Sequence, residues 1–345
     1  MKNGMNMSSL KQRNRAMVLS IVNALGPISR IDIAHEMGLT AAALTQITGG
    51  MLQEGVLKET GKQELPSAGR RKVLLQLNEN YRLPVCVNVD REQTVITICS
   101  LKGDVKAQKI LPTSVTKPIA FLEDIAQQIT ILQNHVPKEE RAAVQGISVG
   151  MAGAIDRDNG MSLKEGGIFG QDVKVREILE ASTGMPVILE NNVDAFAQAE
   201  LLFGNCRNEK NLLVIKWGPG VGSAVLLQRE LYEGKGRQAE LGHIQYPDGT
   251  SLEDHINARV LRTKSRKEKE DAAKILALAV VNACMLLSPD HVILYGTLAG
   301  KDSDAEMVMA EVRKRDPSVA ICTSALADKE DWIGECAVYL KQEVF

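Results

Sequence analysis

No stretch of this chain approaches the roughly 20 consecutive apolar residues that a membrane-spanning helix needs, and none of its six cysteines forms a C-x-x-C pair. The first absence excludes a helical membrane protein. The second removes the common zinc and redox motifs. Cys86, Cys99, Cys206, Cys284, Cys322 and Cys336 are scattered, mostly inside apolar runs, which favours buried free thiols over a disulfide framework or a metal cluster. Residues 1–15 are polar and basic and lack the apolar core of a secretory leader, so a cytoplasmic location is expected. Net charge is nearly absent too, at −2 over 345 residues, but it is unevenly spread. The first eighty residues carry ten Lys/Arg against six acids, about +4, and leave about −6 on the remainder. A basic end on an acidic body suits a protein that offers one face to a polyanion. The composition, 44% hydrophobic and 24% charged, is that of a globular chain long enough for two or three domains.

The basic end reads as three helices and a hairpin. Val18, Ile21, Val22 and Leu25 have the spacing of an amphipathic helix that Gly26 and Pro27 stop. Ser29 and Asp32 resemble a capping box opening a second helix, with Ile33, Ala34 and Met37 on one side and Gly38 at its end. Thr40 caps a third, whose inner face carries Ala43, Leu44, Ile47 and Met51. Two short helices about a glycine turn, behind a supporting helix, form the tri-helical DNA-reading unit. Ala41, Ala42 and Ala43 permit close approach to a groove; Gln46 suits an adenine edge, and Thr45 a base or phosphate. Arg30 and Thr40 join this candidate interface. Gly49 and Gly50 weaken the third helix by about 1 kcal/mol each relative to alanine, with no evident reason. Val56-Leu57, a polar turn over 61–69 and the alternation Val73, Leu75, Leu77 predict a wing-like hairpin, with Arg70, Arg71 and Lys72 at its return to meet phosphates. The competing reading is a three-helix protein-interaction module with a solvated basic edge.

Beyond residue 80 a pattern occurs twice. Strand-like runs at 85–89, 94–99 and 105–111 precede a helix over 119–135 and a buried strand near 144–149. Runs at 212–216, 223–227 and near Leu231 precede a helix around 272–287 and a strand at 291–295. Two such units imply α/β lobes facing each other across a cleft. Glycine-rich turns follow a strand in each unit: Ser148-Val149-Gly150-Met151-Ala152-Gly153 and Trp217-Gly218-Pro219-Gly220-Val221-Gly222. They are either ligand-cradling loops or plain tight turns.

Taken together these residues resemble the ROK family (repressors, open reading frames and kinases), in particular its repressor branch of xylose and N-acetylglucosamine repressors. The resemblance runs from about Arg13 to Phe345. It rests on the helix-turn-helix around Ser29–Thr40, the Ser67-Ala68-Gly69-Arg70-Arg71-Lys72 return, Leu189-Glu190-Asn191-Asn192, the 218–222 glycine loop, Glu240-Leu241-Gly242-His243 and the closing unit from Asn282 to Gly296. It implies a winged helix-turn-helix followed by an actin-like, hexokinase-like two-lobed α/β fold with a sugar in the cleft. The positions it points to are Gly153, Asn191, Asn192, Glu240, His243 and Glu253. Carboxylate and imidazole acceptors with amide donors satisfy several hydroxyls of one pyranose. His243 is open to a second reading as a core histidine.

The departures from the family are specific. Asn192 stands where family kinases carry the aspartate that takes the sugar hydroxyl proton, and an amide is no general base. Asp90-Arg91-Glu92-Gln93-Thr94 replaces the Asp-x-Gly-Gly-Thr phosphate loop, and Gly296-Thr297-Leu298-Ala299-Gly300 lacks the paired glycines usual beside adenine. The Cys-rich zinc segment is missing after His243, and the 166–172 loop lacks the Asn-Trp pair often found over the sugar. The expectation is therefore a repressor controlled by a sugar, with no phosphoryl transfer, no cofactor and no metal. Its partners would be a double-stranded DNA operator, the sugar effector and further copies of itself as a homodimer or homotetramer, with no membrane. Residues 1–80 would form the DNA-binding domain, 81–190 with the C-terminal stretch 330–345 the first lobe, and 191–329 the second. The alternatives are an active sugar kinase with a DNA-binding head, and a ligand-free regulator controlled by a protein partner.

Overall fold

The computed structural model of the protein describes residues 7–63, 72–218, 220–234, 239–260, 265–296 and 302–345. Its first elements are α1 (Met7–Leu25), β1 (Ile28–Ser29), α2 (Arg30–Met37), α3 (Ala41–Glu54), β2 (Leu57–Gln63) and β3 (Lys72–Leu77). α1 buries Val18, Leu19 and Val22, whereas Leu25, expected on that face, is 53% exposed at the helix's last residue. The Ser29 Oγ accepts the Asp32 N–H at 3.3 Å. It also donates to the Asp32 carboxylate at 2.6 Å, so the return bond of the capping box goes to the hydroxyl. α2 ends at Gly38 in the left-handed conformation, and Thr40 caps α3 by accepting the Ala43 N–H at 3.2 Å. Leu44, Thr48 and Met51 are the buried positions of α3. Thr48 is tolerated inside because its hydroxyl donates to the Leu44 carbonyl. β1, β3 and β2 make an antiparallel sheet in that order. The hairpin tip at 64–71, with Arg70 and Arg71, lies outside the described residues.

The rest of the chain builds one topology twice. β4 (Val85–Val89), β5 (Gln93–Cys99) and β6 (Val105–Pro112) form a meander, and α4 (Pro118–Gln133) follows. β7 (Ile147–Met151) then runs parallel to β4. A hairpin of β8 (Gly153–Asp156) and β9 (Met161–Gly167) leads to α5 (Val175–Thr183) and to β10 (Val187–Asn191), parallel to β7. After α6 (Asn192–Phe203) the order recurs: meander β11 (Leu212–Trp217), β12 (Val221–Leu227), β13 (Glu230–Leu231), then helices α7 (Leu252–Val260) and α8 (Arg266–Leu287). β14 (His291–Tyr295) lies parallel to β11, and α9 (Asp302–Arg315) connects it to β15 (Ile321–Thr323) and to α10 (Ile333–Tyr339). The sheets read β10-β7-β4-β5-β6 and β13-β12-β11-β14-β15. β10 and β15 thus extend each repeat by a strand beyond those expected from the sequence.

Burial explains the arrangement. Every residue of β4 and β7 is buried, as expected of central strands covered on both faces. α4 and α5 cover one face of the first sheet, and α10 packs on β4, β7 and β10 from the other. The second sheet packs into a cluster with α7, α8 and α9. A third apolar cluster runs from Val18, Leu19 and Val22 in α1 through α6 to α10. No described helix is long and apolar enough to cross a membrane.

Candidate functional site: a cleft between two sheets and an exposed helix

The parallel strands of both sheets point their C-terminal ends at one place, where α/β sheets usually bind ligands. Val89, Met151 and Asn191 stand in one row across β4, β7 and β10. The residues that follow them, Asp90, Ala152 and Asn192, therefore lie side by side on the cleft floor. Lys216 of β11, the start of β12, Glu240, His243 and Glu253 form the opposite wall. The enclosed volume is about 660 Å³, within the range of small-molecule sites. All six positions expected to meet a sugar line this cleft: Gly153, Asn191, Asn192, Glu240, His243 and Glu253.

Their side chains are not equally available. Asn191 caps α6, its Oδ1 accepting the Val193 and Asp194 N–H groups at 2.8 and 3.2 Å. Its Nδ2 donates to the Gly153 carbonyl at 3.1 Å. Gly153 itself has φ +85, and a Cβ there would sit 2.5 Å from the Gly166 carbonyl, so this turn admits only glycine. Asn192 is buried, lines the floor, and has no hydrogen bond to its side chain among the described residues. Glu253 accepts the Val221 N–H at 2.9 Å and so ties α7 to the glycine loop. The His243 side chain is 61% exposed, 3.6 Å from the Glu240 carboxylate; it faces solvent and the cleft, which removes the core-histidine reading.

Two ion-paired groups in the cleft carry no sequence motif. Arg157, just past β8, bonds both Glu190 and Asp194, which are nearly fully buried. Burial pushes the Glu190 carboxyl up and Arg157 offsets this only in part. This clamp fixes the first turn of α6. Across the cleft, Lys216 of the second sheet bonds Asp90 of the first. Burial opposes the Asp90 charge, but the Lys216 ammonium prevails and holds the carboxyl below its ordinary range. A side chamber of about 50 Å³ opens beside this pair, lined by Asn88, Glu330 and Asp331 among others. Burial raises Glu330 to about 6, the Lys216 charge notwithstanding. The turn Asp90-Arg91-Glu92-Gln93 is closed by the Asp90 N–H on the Gln93 carbonyl.

In the first eighty residues, α3 exposes Ala41, Ala42, Thr45 and Gln46 together. The Gln46 side chain makes no hydrogen bond among the described residues, while the Thr45 hydroxyl donates to the Ala41 carbonyl at 2.7 Å. Thr40 is occupied as a cap. Arg30 bonds Thr48 and, at 3.0 Å, Glu59. Lys72 pairs with Asp32 at 2.9 Å. Arg30 of the candidate interface and Lys72, expected to meet phosphate, are thus each held by a neighbouring acid in this conformation. The six cysteines are free thiols, and among the described residues no group of side chains could hold a metal ion.

The family model described as "ROK family" matches residues 84–255. The N-acetylglucosamine repressor of Escherichia coli O6:H1 is 28% identical over 245 residues, covering 70% of this chain and 59% of the repressor. The chain spans 58–60% of the length of the first curated relatives it matches. A ROK family transcriptional regulator described as a homolog of the E. coli Mlc protein superposes with a TM-score of 0.75 at 21% identity, over 96% of both chains. A ROK family glucokinase from Streptomyces griseus, in complex with glucose and AMPPNP, superposes at 0.62 and 18% identity over 74% of this chain and 98% of its own. The repeated topology, the cleft at the strand ends and these likenesses lead to one conclusion: the chain belongs to the ROK family and has its kinase-like α/β fold.

Proposed function

We propose that the chain is a DNA-binding transcriptional regulator, acting as a repressor, whose hold on a double-stranded operator is set by a sugar or sugar derivative in the cleft. The carrying observation is that six positions from four separate stretches of the chain line one cleft, where their carboxylates, amides and imidazole suit hydroxyl groups. In this reading Asn192, Glu240, His243 and Glu253 meet hydroxyls directly, while Gly153 and Asn191 shape the floor. The repressor names among its relatives agree with it.

Residues 1–80 act as a winged helix-turn-helix. α3 is the reading helix, with Gln46 at base edges, small Ala41 and Ala42 allowing close approach, and Thr45 at its side. Arg70 and Arg71, outside the described residues, and Lys72, once released from Asp32, supply phosphate contacts. Residues 81–190 with 330–345 form one lobe and 191–329 the other. The working form is a dimer or tetramer, matching two-fold symmetry in the operator.

The cleft transfers no phosphate in this reading. Asn192 offers no basic lone pair, and Lys216 bonds Asp90 in the turn that stands in place of the family's phosphate loop. The test is a thermal-shift and calorimetric screen of glucose, xylose and N-acetylglucosamine, each alone and with Mg-ATP. A true ligand at 100 times its Kd stabilises the fold by about 2.7 kcal/mol. The reading expects one sugar to do this without ATP; ATP-dependent phosphorylation of any of them overturns it.

A further inference from the structure

We propose that Asn23 is a positioning residue that couples the cleft to the N-terminal head by supplying a hydrogen-bond donor to the far end of α6. The proposal rests on the sugar-regulated reading above and names its route. α6 starts in the cleft, where Asn191 caps it and Asn192, Val193 and Asp194 line the floor. Twelve residues later, about 18 Å along the axis, it ends against α1. There the Asn23 side-chain amide donates to the Leu202 carbonyl at 3.4 Å.

That carbonyl is among the last four of the helix, which have no partner within it. One helix is therefore capped at one end by a cleft residue and served at the other by the head. Between the ends it is rigidly held: residues from Asn192 to Leu201 are all buried, Phe196 stacks on Tyr295 at 3.8 Å between centroids, and Glu200 accepts the Ser324 hydroxyl. A rod so packed moves as a unit, and the α1 side chains Val18, Leu19 and Val22 share its apolar cluster. The head contact is small by comparison, one long hydrogen bond and an apolar seam. A ligand that shifts Asn192 and Asp194 changes where α1 docks, and hence how α3 is presented.

The test compares wild type with Asn23→Ala, Asn23→Asp and Asn23→Gln. Operator affinity is measured without sugar and with saturating glucose, xylose or N-acetylglucosamine. Loss of the donor should leave sugar-free operator affinity within about twofold and shrink the sugar-induced change by about three- to tenfold, the weight of one neutral hydrogen bond. Asn23→Gln, which retains a donor, should recover part of the response. By reciprocity the effect of operator on sugar affinity should shrink by the same factor. A sugar response in Asn23→Ala and Asn23→Asp equal to wild type overturns the proposal. A wild type that responds to no sugar overturns the sugar-regulated reading instead.

A sugar-free arm then decides the coupling: Asn191→Ala loosens the cleft end of α6. Deuterium exchange of the last-turn amides of α1 should quicken at least about twofold while α4 amides stay unchanged. Unchanged exchange in α1 overturns the coupling.

Discussion

Replacing Glu335 by glutamine should flatten the pH dependence of stability above pH 5. Glu335 lies in α10, 1% exposed, with neither carboxyl oxygen hydrogen-bonded. It fits only because position 150 is glycine: a Cβ there would lie 1.9 Å from its Oε1. Burial raises this carboxyl from 4.5 to about 8; its own backbone N–H and Lys216 oppose the rise, and the nearby Asp331 adds to it. Between those pH values the folded chain keeps a proton that the unfolded chain has released. Stability from this group is therefore fully present below pH 4.5, falls as pH rises, and is lost above pH 8. At 1.36 kcal/mol per pKa unit the span corresponds to on the order of 5 kcal/mol. Urea unfolding midpoints from pH 5 to pH 9 measure it in both proteins. Other titrating groups are common to the two and cancel in the difference. The variant should gain on wild type from pH 5 to about pH 8 and level off beyond it; parallel profiles would refute the reasoning.

Three further outcomes follow from the same contacts. Arg157→Met leaves Glu190 and Asp194 buried without their cation and should cost about 3–5 kcal/mol in urea unfolding; a loss under 1 kcal/mol would mean that the clamp is not what holds α6. Gly153→Ala forces a side chain into a left-handed turn against the Gly166 carbonyl, and should cost about 1–3 kcal/mol and weaken calorimetric sugar binding. An alanine chain with unaltered affinity contradicts that role for the turn. Gly49 has nothing within 4 Å of where a Cβ would stand, so Gly49→Ala should stabilise α3 by about 1 kcal/mol and raise the melting temperature; a fall would reveal a contact this conformation lacks.

Much of this architecture was legible because it is written in local patterns. Ser29, Gly38 and Thr40 mark helix ends through backbone chemistry, which acts within a few residues. β4 and β7 read as strands because they are short, largely apolar segments rich in β-branched residues. The cleft positions could be placed because family motifs carry them, and the two sheets bring them together. Arg157 and Lys216 escaped notice for a physical reason. A lone cation in a strand or loop looks like a solvated surface charge, and its acids, Glu190, Asp194 and Asp90, stand 33, 37 and 126 residues away. Glu335 was equally silent, since a glutamate in a short helix reads as exposed until Gly150 is seen to make room for it. Leu25 shows the converse: its spacing fitted the inner face of α1, but the helix ends there and exposes it. The sequence puts Arg30 and Lys72 in the candidate DNA interface, and only the fold places Glu59 and Asp32 beside them.

The most direct test of the account is the affinity of the whole chain for the DNA upstream of its own gene, titrated with glucose, xylose and N-acetylglucosamine and repeated with Mg-ATP. The account predicts salt-sensitive binding that one sugar alters and ATP does not. DNA binding indifferent to every sugar, or a sugar phosphate appearing in the ATP arm, would contradict it.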